Sequence, residues 1–487
     1  MEDYKLTIGL EVHAELSTKT KMFCGCLNNP DEKEPNINIC PVCLGYPGTL
    51  PVINKEAIKQ VLRFGVAVSG ELANFTEFDR KNYFYPDIPK GYQISQYKYP
   101  LVTGGILKGV RLTRVHLEED TAKSSHTSEG VTPSNENSSK KISLIDYNRA
   151  GVPLMELVTE PVIHRAEEAA DFARELQLTL WYLGASEANM EKGEMRVEAN
   201  ISVSKLDDVA GMPMGTKVEV KNLNSFKAVE KAIRFEFKRQ VEMLEKGDAV
   251  VQETRGWNEN IEETFSQRAK ENSHDYRYFP DPDLPKMYIS EIKEFTSNEL
   301  KETLPELPSE KRKRLKSEYN IKDEDIEIYV RNSEWGMFFE EAAKDSKVGL
   351  AQLISNYIST DLPNLLPEKS GNPFDTKLTP IKLRELIKFT VSGELSSRAT
   401  KDILKILVNQ GGDPKNIAEN LNLFQKNTKE EIIKIATKVV EDNQKVAEEY
   451  KLGNKGSIQF LIGQGMKVSN GSANPQLLKE ALEELLK

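Results

Sequence analysis

The sequence has no long apolar segment and no excess of basic residues. No run of apolar residues approaches the roughly 20 that a membrane-spanning helix needs. The first letters, MEDYKLTIGLEV, lack the basic start and apolar stretch of a signal peptide. The net charge of −10 argues against a domain that binds nucleic acid through an overall basic field. We therefore expect a cytoplasmic protein without membrane contact, in which RNA contacts depend on a local basic patch.

Three familiar motifs for phosphate binding and acyl transfer are also missing. The sequence contains no glycine-rich loop followed by Lys-Ser or Lys-Thr, no GxGxxG that opens a helix and no GxSxG nucleophile elbow. If the chain uses ATP, it must therefore hold the nucleotide by other means.

A chain of 487 residues is too long for one hydrophobic core, so several domains are expected. Up to about residue 290, apolar and polar residues alternate as in half-buried strands. The clearest stretches are IGLEVHAEL (8–16), VRLTRVHLEED (110–120), ISLIDYN (142–148), EMRVEANISVS (194–204) and TKVEVKNL (216–223). Helical periodicity interrupts them at 166–183 and 226–246. We predict an α+β domain on an antiparallel sheet, with the polar loop 124–141 closing a hairpin.

The second part of the chain has a different character. After DPDLP (281–285) no convincing strand pattern remains, and helices are predicted at 298–317, 323–345, 347–359 and 380–388. A Gly-Gly-Asp-Pro break at 411–414 sets off a last segment. We therefore divide the chain into a sheet domain (1–291), an all-helical domain (292–410) and a helical tail (411–487).

The four cysteines are clustered in one short segment. They form CGC and CPVC pairs at Cys24, Cys26, Cys40 and Cys43. In a cytosolic chain, two short pairs of this kind predict a tetrahedral zinc site. Four thiolates leave no open position for a substrate, so the zinc would be structural. Four buried free thiols are the alternative.

Several predicted strands place acidic residues and histidine on one face. Alternate residues of a strand share a face, so Glu11 lies beside His13, and His116 lies beside Glu118. Histidine is rare in this chain, with five copies, and carboxylates combined with histidine suit Mg²⁺ or Mn²⁺. Such ions typically serve phosphate chemistry. For any single strand, a solvated outer face would produce the same alternation.

Two stretches are rich in aromatic and basic residues: FDRKNYFYPDIPKGYQISQYKYP (78–100) and HDYRYFPDPDLP (274–285). They are typical of rigid, proline-pinned loops. They would equally suit a pocket for a nucleotide or an RNA end, because aromatic rings stack on bases while Lys and Arg meet phosphate.

These segments together resemble one known family. IGLEVHAEL, CPVCLGYPGTLP, FDRKNYFYPDIPKGYQISQ, HLEED, DYNRAGVPLMELVTEP, MRVEANISV, EVKNLNSF and DYRYFPDPDLP closely resemble, in order, the signature blocks of the GatB family. These blocks cover residues 8–285 almost continuously. MKVSNGSANPQ (466–476) is similar to the family's tail block.

The resemblance implies a fold and a reaction. The family has a cradle-like antiparallel sheet domain with helices, followed by a helical domain and a tail that contact tRNA. Its members phosphorylate the side chain of mischarged Glu-tRNA(Gln) or Asp-tRNA(Asn) with ATP and Mg²⁺, and then replace the phosphate with ammonia. The ammonia comes from glutamine hydrolysed in the A subunit, which is a glutaminase, and the C subunit wraps around both.

The resemblance also implies roles for particular residues. The matches to the family's metal-binding blocks are Glu11, His13, Glu118 or Glu119, and Glu198. Strand parity favours Glu118, although a bulge could reverse this. Many members of the family carry Asp at the position of Glu198.

Other matches are expected to contact the substrates. The residues in blocks that would meet ATP or the tRNA 3′ end are Asn148, Arg149, Arg196, Lys221, Asn222, Arg277 and Tyr278. For each of them, a place in a buried polar network is the alternative. Lys81 and Lys90 would line the ammonia route or pocket. In the tail, Lys467 and Asn474 could touch tRNA, or form a helix cap and turn near 470–471.

Two rival interpretations are weighed against this one. In the first, the chain is a non-catalytic tRNA-binding scaffold whose acidic face holds only a structural cation. In the second, it is the archaeal-type E protein, which uses a related cradle. That protein carries an extra domain for which 487 residues leave no room.

Overall fold

The computed structural model describes residues 3–127, 142–206, 215–269, 276–367, 371–425, 429–469 and 473–487. The strands are β1 (Tyr4–Glu15), β2 (Glu71–Leu72), β3 (Phe75–Thr76), β4 (Asp79–Asn82), β5 (Tyr92–Ser95), β6 (Val102–Thr103), β7 (Ile106–Leu107), β8 (Val110–Glu119), β9 (Lys123–Thr127), β10 (Ile142–Asp146), β11 (Pro153–Thr159), β12 (Met195–Lys205), β13 (Val218–Leu223), β14 (Glu253–Asn258), β15 (Glu263–Ala269), β16 (Phe279–Pro280) and β17 (Met287–Tyr288).

The helices are α1 (Lys55–Ala67), α2 (Ala166–Leu183), α3 (Phe226–Glu245), α4 (Ser297–Glu302), α5 (Pro308–Tyr319), α6 (Asp323–Arg331), α7 (Ser333–Ala343), α8 (Val348–Asn356), α9 (Pro380–Val391), α10 (Ser397–Gln410), α11 (Pro414–Asn420), α12 (Lys429–Asp442), α13 (Gln444–Lys451), α14 (Ser457–Val468) and α15 (Pro475–Leu485). A π-helical turn (Tyr357–Asp361) follows α8 directly. In the part of the chain described here, no helix combines the length and apolar character required to cross a membrane.

The chain forms two compact units, Met1–Leu307 and Pro308–Lys487. The first unit contains a large sheet with the strand order β15-β14-β13-β12-β1-β11-β8-β6-β2, and β7 pairs with β8. The predicted α+β class is confirmed. The sheet is mixed rather than purely antiparallel, because β13 and β14 run parallel.

One face of the large sheet is apolar, as the alternation predicts. Ile8, Leu10 and Val12 of β1 are buried in the main core. The apolar faces of α2 and α3 belong to the same core, through residues such as Phe172 and Ile233. The two predicted helices are confirmed, α2 with the predicted bounds and α3 ending one residue earlier.

A smaller sheet, β16-β4-β5, is held against β8. The Ser95 hydroxyl donates to the Glu118 carboxylate at 3.0 Å, and the amide of Leu117 donates to the Gln96 side chain at 3.0 Å. This layer therefore covers the polar face of the large sheet and forms one wall of a cavity.

A hairpin forms here, but not between the predicted strands 110–120 and 142–148: β8 pairs with β11, β6 and β7, and β10 pairs with β9, which starts at Lys123 and so occupies the beginning of the predicted loop. β9 and β10 pair antiparallel, from Thr127 with Ile142 to Lys123 with Asp146. The segment between them, 128–141, lies outside the described residues.

The second unit is built from helices, but two long predicted helices are each interrupted. The predicted helix 298–317 is wrong because α4 ends at Glu302 and α5 begins at Pro308, with Pro305 between them. Proline removes a backbone donor and its ring clashes with the preceding turn. The predicted helix 323–345 divides at Asn332, whose side chain accepts a hydrogen bond from the amide of Trp335 and so caps α7.

The end of the chain has a core of its own. Residues of α12, α13, α14 and α15, among them Ala436, Ala447, Leu461 and Leu478, form one buried cluster. The proposed boundary between a helical domain and a tail at 410/411 stays a prediction.

A buried ionic network in the first unit generates a stability prediction. Glu236 of α3 is fully buried, and its carboxylate accepts from Arg239 at 2.6 Å and from Thr264 of β15 at 3.0 Å. Arg255 of β14 lies 3.5 Å from the same carboxylate. Glu236→Gln removes the buried anion from two partly buried guanidinium groups, which keep only the Glu253 carboxylate as an ionic partner, so we expect a loss of about 1–3 kcal/mol in the free energy of unfolding.

Urea unfolding followed by tryptophan fluorescence measures this loss. The control is Lys238→Gln on the exposed side of α3, where we expect a change within about 0.5 kcal/mol. Equal losses in the two variants would contradict the role given to Glu236.

Candidate active site

The strand register builds a row of charged side chains across four neighbouring strands. His13 of β1 lies opposite Glu156 of β11 and Arg196 of β12, and Glu156 lies opposite His116 of β8. The Glu156 carboxylate is 3.5 Å from Nε2 of His13 and 3.2 Å from Nε2 of His116. One carboxylate therefore bridges two histidines.

Two further carboxylates complete this inner cluster. Glu11 and Glu118 lie 3.8 Å and 3.9 Å from Nε2 of His13. Glu119 points to the opposite side of β8, where it forms an ion pair with Lys90 and accepts from the amide of Ile94 at 2.9 Å. The structure thus brings Glu118, and not Glu119, next to His13.

A second cluster shares Glu11 with the first. Glu198 of β12 lies opposite Glu11 in the register, and oxygens of Glu11, Glu198 and Glu219 come within 4.8 Å of one another. The Lys221 ammonium is 2.5 Å from Glu198 and 3.7 Å from Glu219. The hydroxyl of Thr254 donates to Glu219 at 2.6 Å.

The charges of the two clusters perturb one another. Burial and the carboxylates of Glu156 and Glu198 raise the pKa of Glu11. Burial disfavours the charged form of His13, but the hydrogen bond and charge of Glu156 and the charge of Glu118 outweigh it and raise the pKa of His13 to about 9. Burial also opposes ionisation of Glu156, yet His116 and His13 hold its pKa well below the usual value.

The donor atoms fit a divalent cation. Three overlapping sets have ligand atoms within 4.8 Å of one another: Glu11, His13 and Glu156; His116, Glu118 and Glu156; and Glu11, Glu198 and Glu219. Nδ1 of His116 is buried without a hydrogen-bond partner among the described residues. Carboxylate-rich sets with one histidine suit Mg²⁺ or Mn²⁺ rather than zinc.

These clusters form part of the wall of a cavity of about 750 Å³. Its other walls come from the small sheet and from β13 to β15. The lining residues are Glu11, Lys81, Ser95, Gln96, Tyr97, Arg114, His116, Glu156, Lys217, Glu219, Lys221, Gln252, Thr254, Gln267, Tyr276 and Tyr278. A cavity of this size falls in the range of small-molecule sites.

Lys81 and a group of tyrosines lie on one side of this cavity. The Lys81 ammonium is 5.1 Å from the centre of the Tyr276 ring, and Tyr278 stacks on Tyr97 at 4.3 Å. Burial disfavours the charge of Lys81, but Glu118 and Tyr278 outweigh it and raise its pKa. The site thus places a cation and flat aromatic faces beside the acidic clusters.

The comparison with known proteins agrees with this arrangement. The GatB/GatE catalytic domain matches residues 6–294, and the GatB domain matches residues 337–486. The chain belongs to the GatB family.

Its similarity to individual GatB proteins extends over the full length. The protein of Crocosphaera subtropica that is named as the B subunit of aspartyl/glutamyl-tRNA(Asn/Gln) amidotransferase is 40% identical, over 99% of this chain and 98% of the relative. The proteins of the same name from Caldanaerobacter subterraneus subsp. tengcongensis and Thermotoga maritima are 42% identical, over 99% of both chains.

The GatB resemblance selects two arginines, Arg149 and Arg196, that lie beside the acidic row. Both contact the carboxylate of Asp120. Arg196 donates to Asp120 at 2.8 Å, and Nε of Arg149 lies 3.6 Å from the same oxygen. Arg149 also donates to the carbonyls of Thr121 and Ala122. Burial and the charge of Asp120 raise the pKa of the adjacent Glu15 to about 8.

Asn148 and Asn222 have local backbone roles. Asn148 is fully buried, and its side chain bonds to backbone groups of the 34–38 loop. Asn222 is exposed, has a φ of 65° and lies at a bulge of β13 opposite β12. A bulge re-aims the neighbouring side chains, here those of Lys221 and Asn222. Arg277 is also exposed, with a φ of 46°.

The remaining predicted residues are members of neither acidic cluster. Lys90, paired with Glu119, borders a small separate cavity beside Cys43, so the two lysines predicted for one route lie in different cavities. In the second unit, Lys467 is exposed on α14. The Asn474 side chain caps α15 by accepting from the amides of Gln476 and Leu477. The turn predicted at 470–471 lies outside the described residues.

The four cysteines form one cluster, with sulfur atoms within 4.8 Å of one another. Cys43 and Cys40 lie 3.9 Å apart between sulfurs. The hydrogen bond with Cys24 lowers the pKa of Cys43 to about 5 against the effect of burial, and the Lys21 charge adds to the shift. This geometry fits a four-thiolate metal site.

Glu156 and Glu219 are the residues that sequence analysis missed. Glu156 is the one charged residue in the apolar strand PLMELVT, and Glu219 lies in the alternating stretch VEVKNL. A charge inside an otherwise buried strand needs a partner. That rule is the signal that could have selected Glu156.

Asn148 provides a test that separates a structural from a ligand-binding role. Its side chain accepts from the amides of Ile37 and Asn38, both at 2.9 Å, and donates to the carbonyl of Glu34 at 2.8 Å. Asn148→Ala leaves these backbone groups unpaired, so we expect a loss of about 1–3 kcal/mol in the free energy of unfolding and faster hydrogen exchange at 34–38.

Urea unfolding and hydrogen-exchange mass spectrometry are the measurements. Asn260→Ala, in an exposed turn, is the control and should leave both unchanged. Unchanged stability together with weaker ATP binding in Asn148→Ala would instead favour direct contact with a ligand.

Proposed function

We propose that this chain is the B subunit of a tRNA-dependent amidotransferase and carries its kinase and amidation site. The substrate would be mischarged Glu-tRNA(Gln), Asp-tRNA(Asn) or both, and the products Gln-tRNA(Gln) or Asn-tRNA(Asn). The observation that carries the proposal is the acidic, histidine-containing row in the wall of a 750 Å³ cavity. It lies in a chain about 40% identical, over its full length, to a protein named as such a B subunit.

The chemistry requires an activated carboxylate. A carboxylate does not react with ammonia in water, because its leaving group would be oxide. Transfer of the γ-phosphoryl group of ATP to a carboxylate oxygen releases ADP and gives an acyl phosphate. Ammonia then attacks the carbonyl carbon, the bond to the phosphate oxygen breaks, and an amide and inorganic phosphate result.

The acidic clusters would hold the ion that such a transfer needs. Glu11, His13, Glu118 and Glu198, with Glu156 added by the geometry, would be the ligands of Mg²⁺ or Mn²⁺. When held by these side chains, such an ion would supply Lewis-acid stabilisation of negative charge for phosphoryl transfer. Burial, together with the charges of Glu156 and Glu198, raises the pKa of Glu11, and a cation held among these closely spaced carboxylates would oppose that effect.

Cationic and aromatic groups would position the substrates. Lys81, Lys221 and Arg114 line the cavity and would contact phosphate oxygens. The stacked Tyr97 and Tyr278 offer flat faces to a base of ATP or of the tRNA 3′ end. Exclusion of water by these walls would protect the acyl phosphate from hydrolysis.

The ammonia would come from another protein. The sequence has no nucleophile elbow, which agrees with glutamine hydrolysis in a separate glutaminase, the A subunit, and with a complex in which the C subunit is also present. Lys81 would line the pocket, and Lys90, which borders a separate cavity, would line the ammonia route. Without the glutaminase, the chain would use only free ammonia.

The other parts of the chain would support this centre. The four cysteines would bind structural zinc. The helical domain (292–410) and the tail (411–487), including Lys467 and Asn474, would contact tRNA. The complex would work in the cytoplasm.

ATP turnover is the first test of the proposal. In the complex with the A and C subunits, Glu11→Ala/His13→Ala removes two side chains of the inner cluster. We expect at least a 100-fold loss of ATP hydrolysis and amide formation, since removal of one preorganised electrostatic group typically costs about 10²–10³-fold in rate. The assay supplies Glu-tRNA(Gln) or Asp-tRNA(Asn) with glutamine, and then with ammonium.

The control is Glu263→Gln, an exposed carboxylate at the start of β15, which should keep full activity. Full activity in a folded Glu11→Ala/His13→Ala variant would show that this stretch of β1 is structural and that the chemistry takes place elsewhere in the sheet domain. The better of the two tRNAs identifies the substrate.

Metal binding can be measured without turnover. Glu156→Gln removes the charge that bridges two histidines, so we expect at least a tenfold weaker affinity for Mn²⁺, at the lower end of the roughly 10–100-fold losses known for groups around metals. Titration followed by electron paramagnetic resonance of free Mn²⁺ gives the affinity. Equal affinities for the wild type, Glu156→Gln and the control Glu263→Gln would show that the acidic row binds no such ion.

A further inference from the structure

Lys21 is a buried cation that the proposed reaction does not use. Its exposed fraction is 0%, and it is among the largest fully buried side chains of the described residues. The ammonium donates to the carbonyl of Tyr147 at 3.1 Å and lies 4.0 Å from the sulfur of Cys43. A buried ammonium is costly unless an anion or several hydrogen bonds compensate it.

The four-cysteine cluster supplies the missing anion. Zn²⁺ with four thiolates carries a net charge of −2, and this charge also needs compensation in a partly buried position. Lys21 lies against the most buried member of the set, Cys43. Groups that donate to metal ligands orient them and tune the site.

The backbone at Lys21 and Met22 forms hydrogen bonds with the cysteine segment and with the turn at Gly151. The amide of Met22 donates to the carbonyl of Gly151 at 2.7 Å, and the amide of Lys21 donates to the carbonyl of Cys26 at 3.0 Å. Gly151 has a φ of 84°, and a Cβ atom there would lie 3.6 Å from Cys43 and 3.7 Å from Lys21. The 147–151 turn therefore rests directly on the cysteine cluster.

The same turn holds the loop between the two cysteine pairs. Besides the three hydrogen bonds of Asn148, the Asp146 side chain accepts from the amide of Asn36 at 3.0 Å. The Asn36 side chain accepts from the amide of Tyr147 at 2.8 Å. The next residue of the turn, Arg149, lies against Asp120, which is paired with Arg196 in the row of His13.

We propose that Lys21 is a positioning residue: its ammonium is the counter-charge of the four-thiolate site and ties that site to the Tyr147 carbonyl, so that zinc binding fixes the turn carrying Arg149. This inference rests on the proposed assignment of zinc to the four cysteines. If Lys21 has this role, the zinc site supports the cavity wall through Lys21, the 147–151 turn and the contact of Arg149 with Asp120.

The first test is the zinc affinity of Lys21→Met in the full chain. Methionine keeps much of the length of the side chain but removes the charge and the donor. We expect zinc transfer to a chelating dye to become about 10–100-fold easier, the usual effect of losing a group that supports metal ligands. The thiolate-to-cobalt absorption of the Co²⁺-loaded protein should shift as well. Lys19→Met, an exposed lysine two residues away, is the control and should behave as the wild type.

A second measurement uses the wild type and does not depend on the folding of a variant. Hydrogen exchange is compared before and after zinc removal. We expect faster exchange in peptides covering 34–38 and 146–151, and no change in α3.

The possible outcomes test the role of Lys21 and the zinc assignment separately from the amidotransferase proposal. Wild-type zinc retention in a folded Lys21→Met variant, or unchanged exchange at 146–151 after zinc removal, overturns the role of Lys21 while leaving the amidotransferase proposal intact. A wild type that binds no zinc overturns both the zinc assignment and this inference. Neither readout involves ATP or tRNA, so a failure of the proposed reaction is detected separately.

Discussion

The crowding of carboxylates on one face of the sheet is the constraint on which the rest of the site depends. Five of them, Glu11, Glu118, Glu156, Glu198 and Glu219, occur in the two clusters that share Glu11. Partly buried like charges at this spacing destabilise one another. The fold compensates some of them internally, since two histidines flank Glu156 and the Lys221 ammonium meets Glu198. For Glu11, burial and the neighbouring carboxylates of Glu156 and Glu198 raise the pKa.

Because side chains alternate between the two faces of a strand, the same strand supplies residues of the apolar core on one face and residues of the candidate site on the other. In β1, every second residue from Ile8 to Ala14 is buried in the core with the helices, whereas Glu11 and His13 face the cavity side. The small sheet then covers this polar face without sealing it, because its contacts with β8 include hydrogen bonds in which the Ser95 hydroxyl donates to Glu118 and the Gln96 side chain accepts from the amide of Leu117. A polar face can be partly buried in this way only if the covering layer brings donors, and Lys81 is one of them.

The sequence allowed the faces of individual strands to be predicted, but not which strands are neighbours. Parity favoured Glu118 over Glu119, because consecutive residues of a strand point to opposite faces, and Glu118 is the one that lies 3.9 Å from His13. It could not reveal Glu156, since β11 is buried and lacks the polar-apolar alternation that marks a half-buried strand. His13 and Glu156 are far apart in the chain, yet they lie opposite each other in the sheet. No local pattern encodes such a register. For Asn148, the sequence block implied either contact with ATP or the tRNA end or a place in a buried polar network, and in the structure its side chain forms hydrogen bonds with the backbone of a distant loop.

The second cluster shows how backbone geometry and charge act together. The bulge in β13 inserts one residue opposite Glu198, and Asn222 adopts a left-handed conformation there. The adjacent Lys221 then reaches Glu198 at 2.5 Å. With Glu11, Glu198 and Glu219 ionised, three negative charges and one ammonium leave a net charge of −2, which one divalent cation would balance. A carboxylate has two oxygens, so Glu198 would accept from Lys221 and still offer its other oxygen to a bound cation. The bulge makes this geometry available, because it brings Lys221 opposite Glu198.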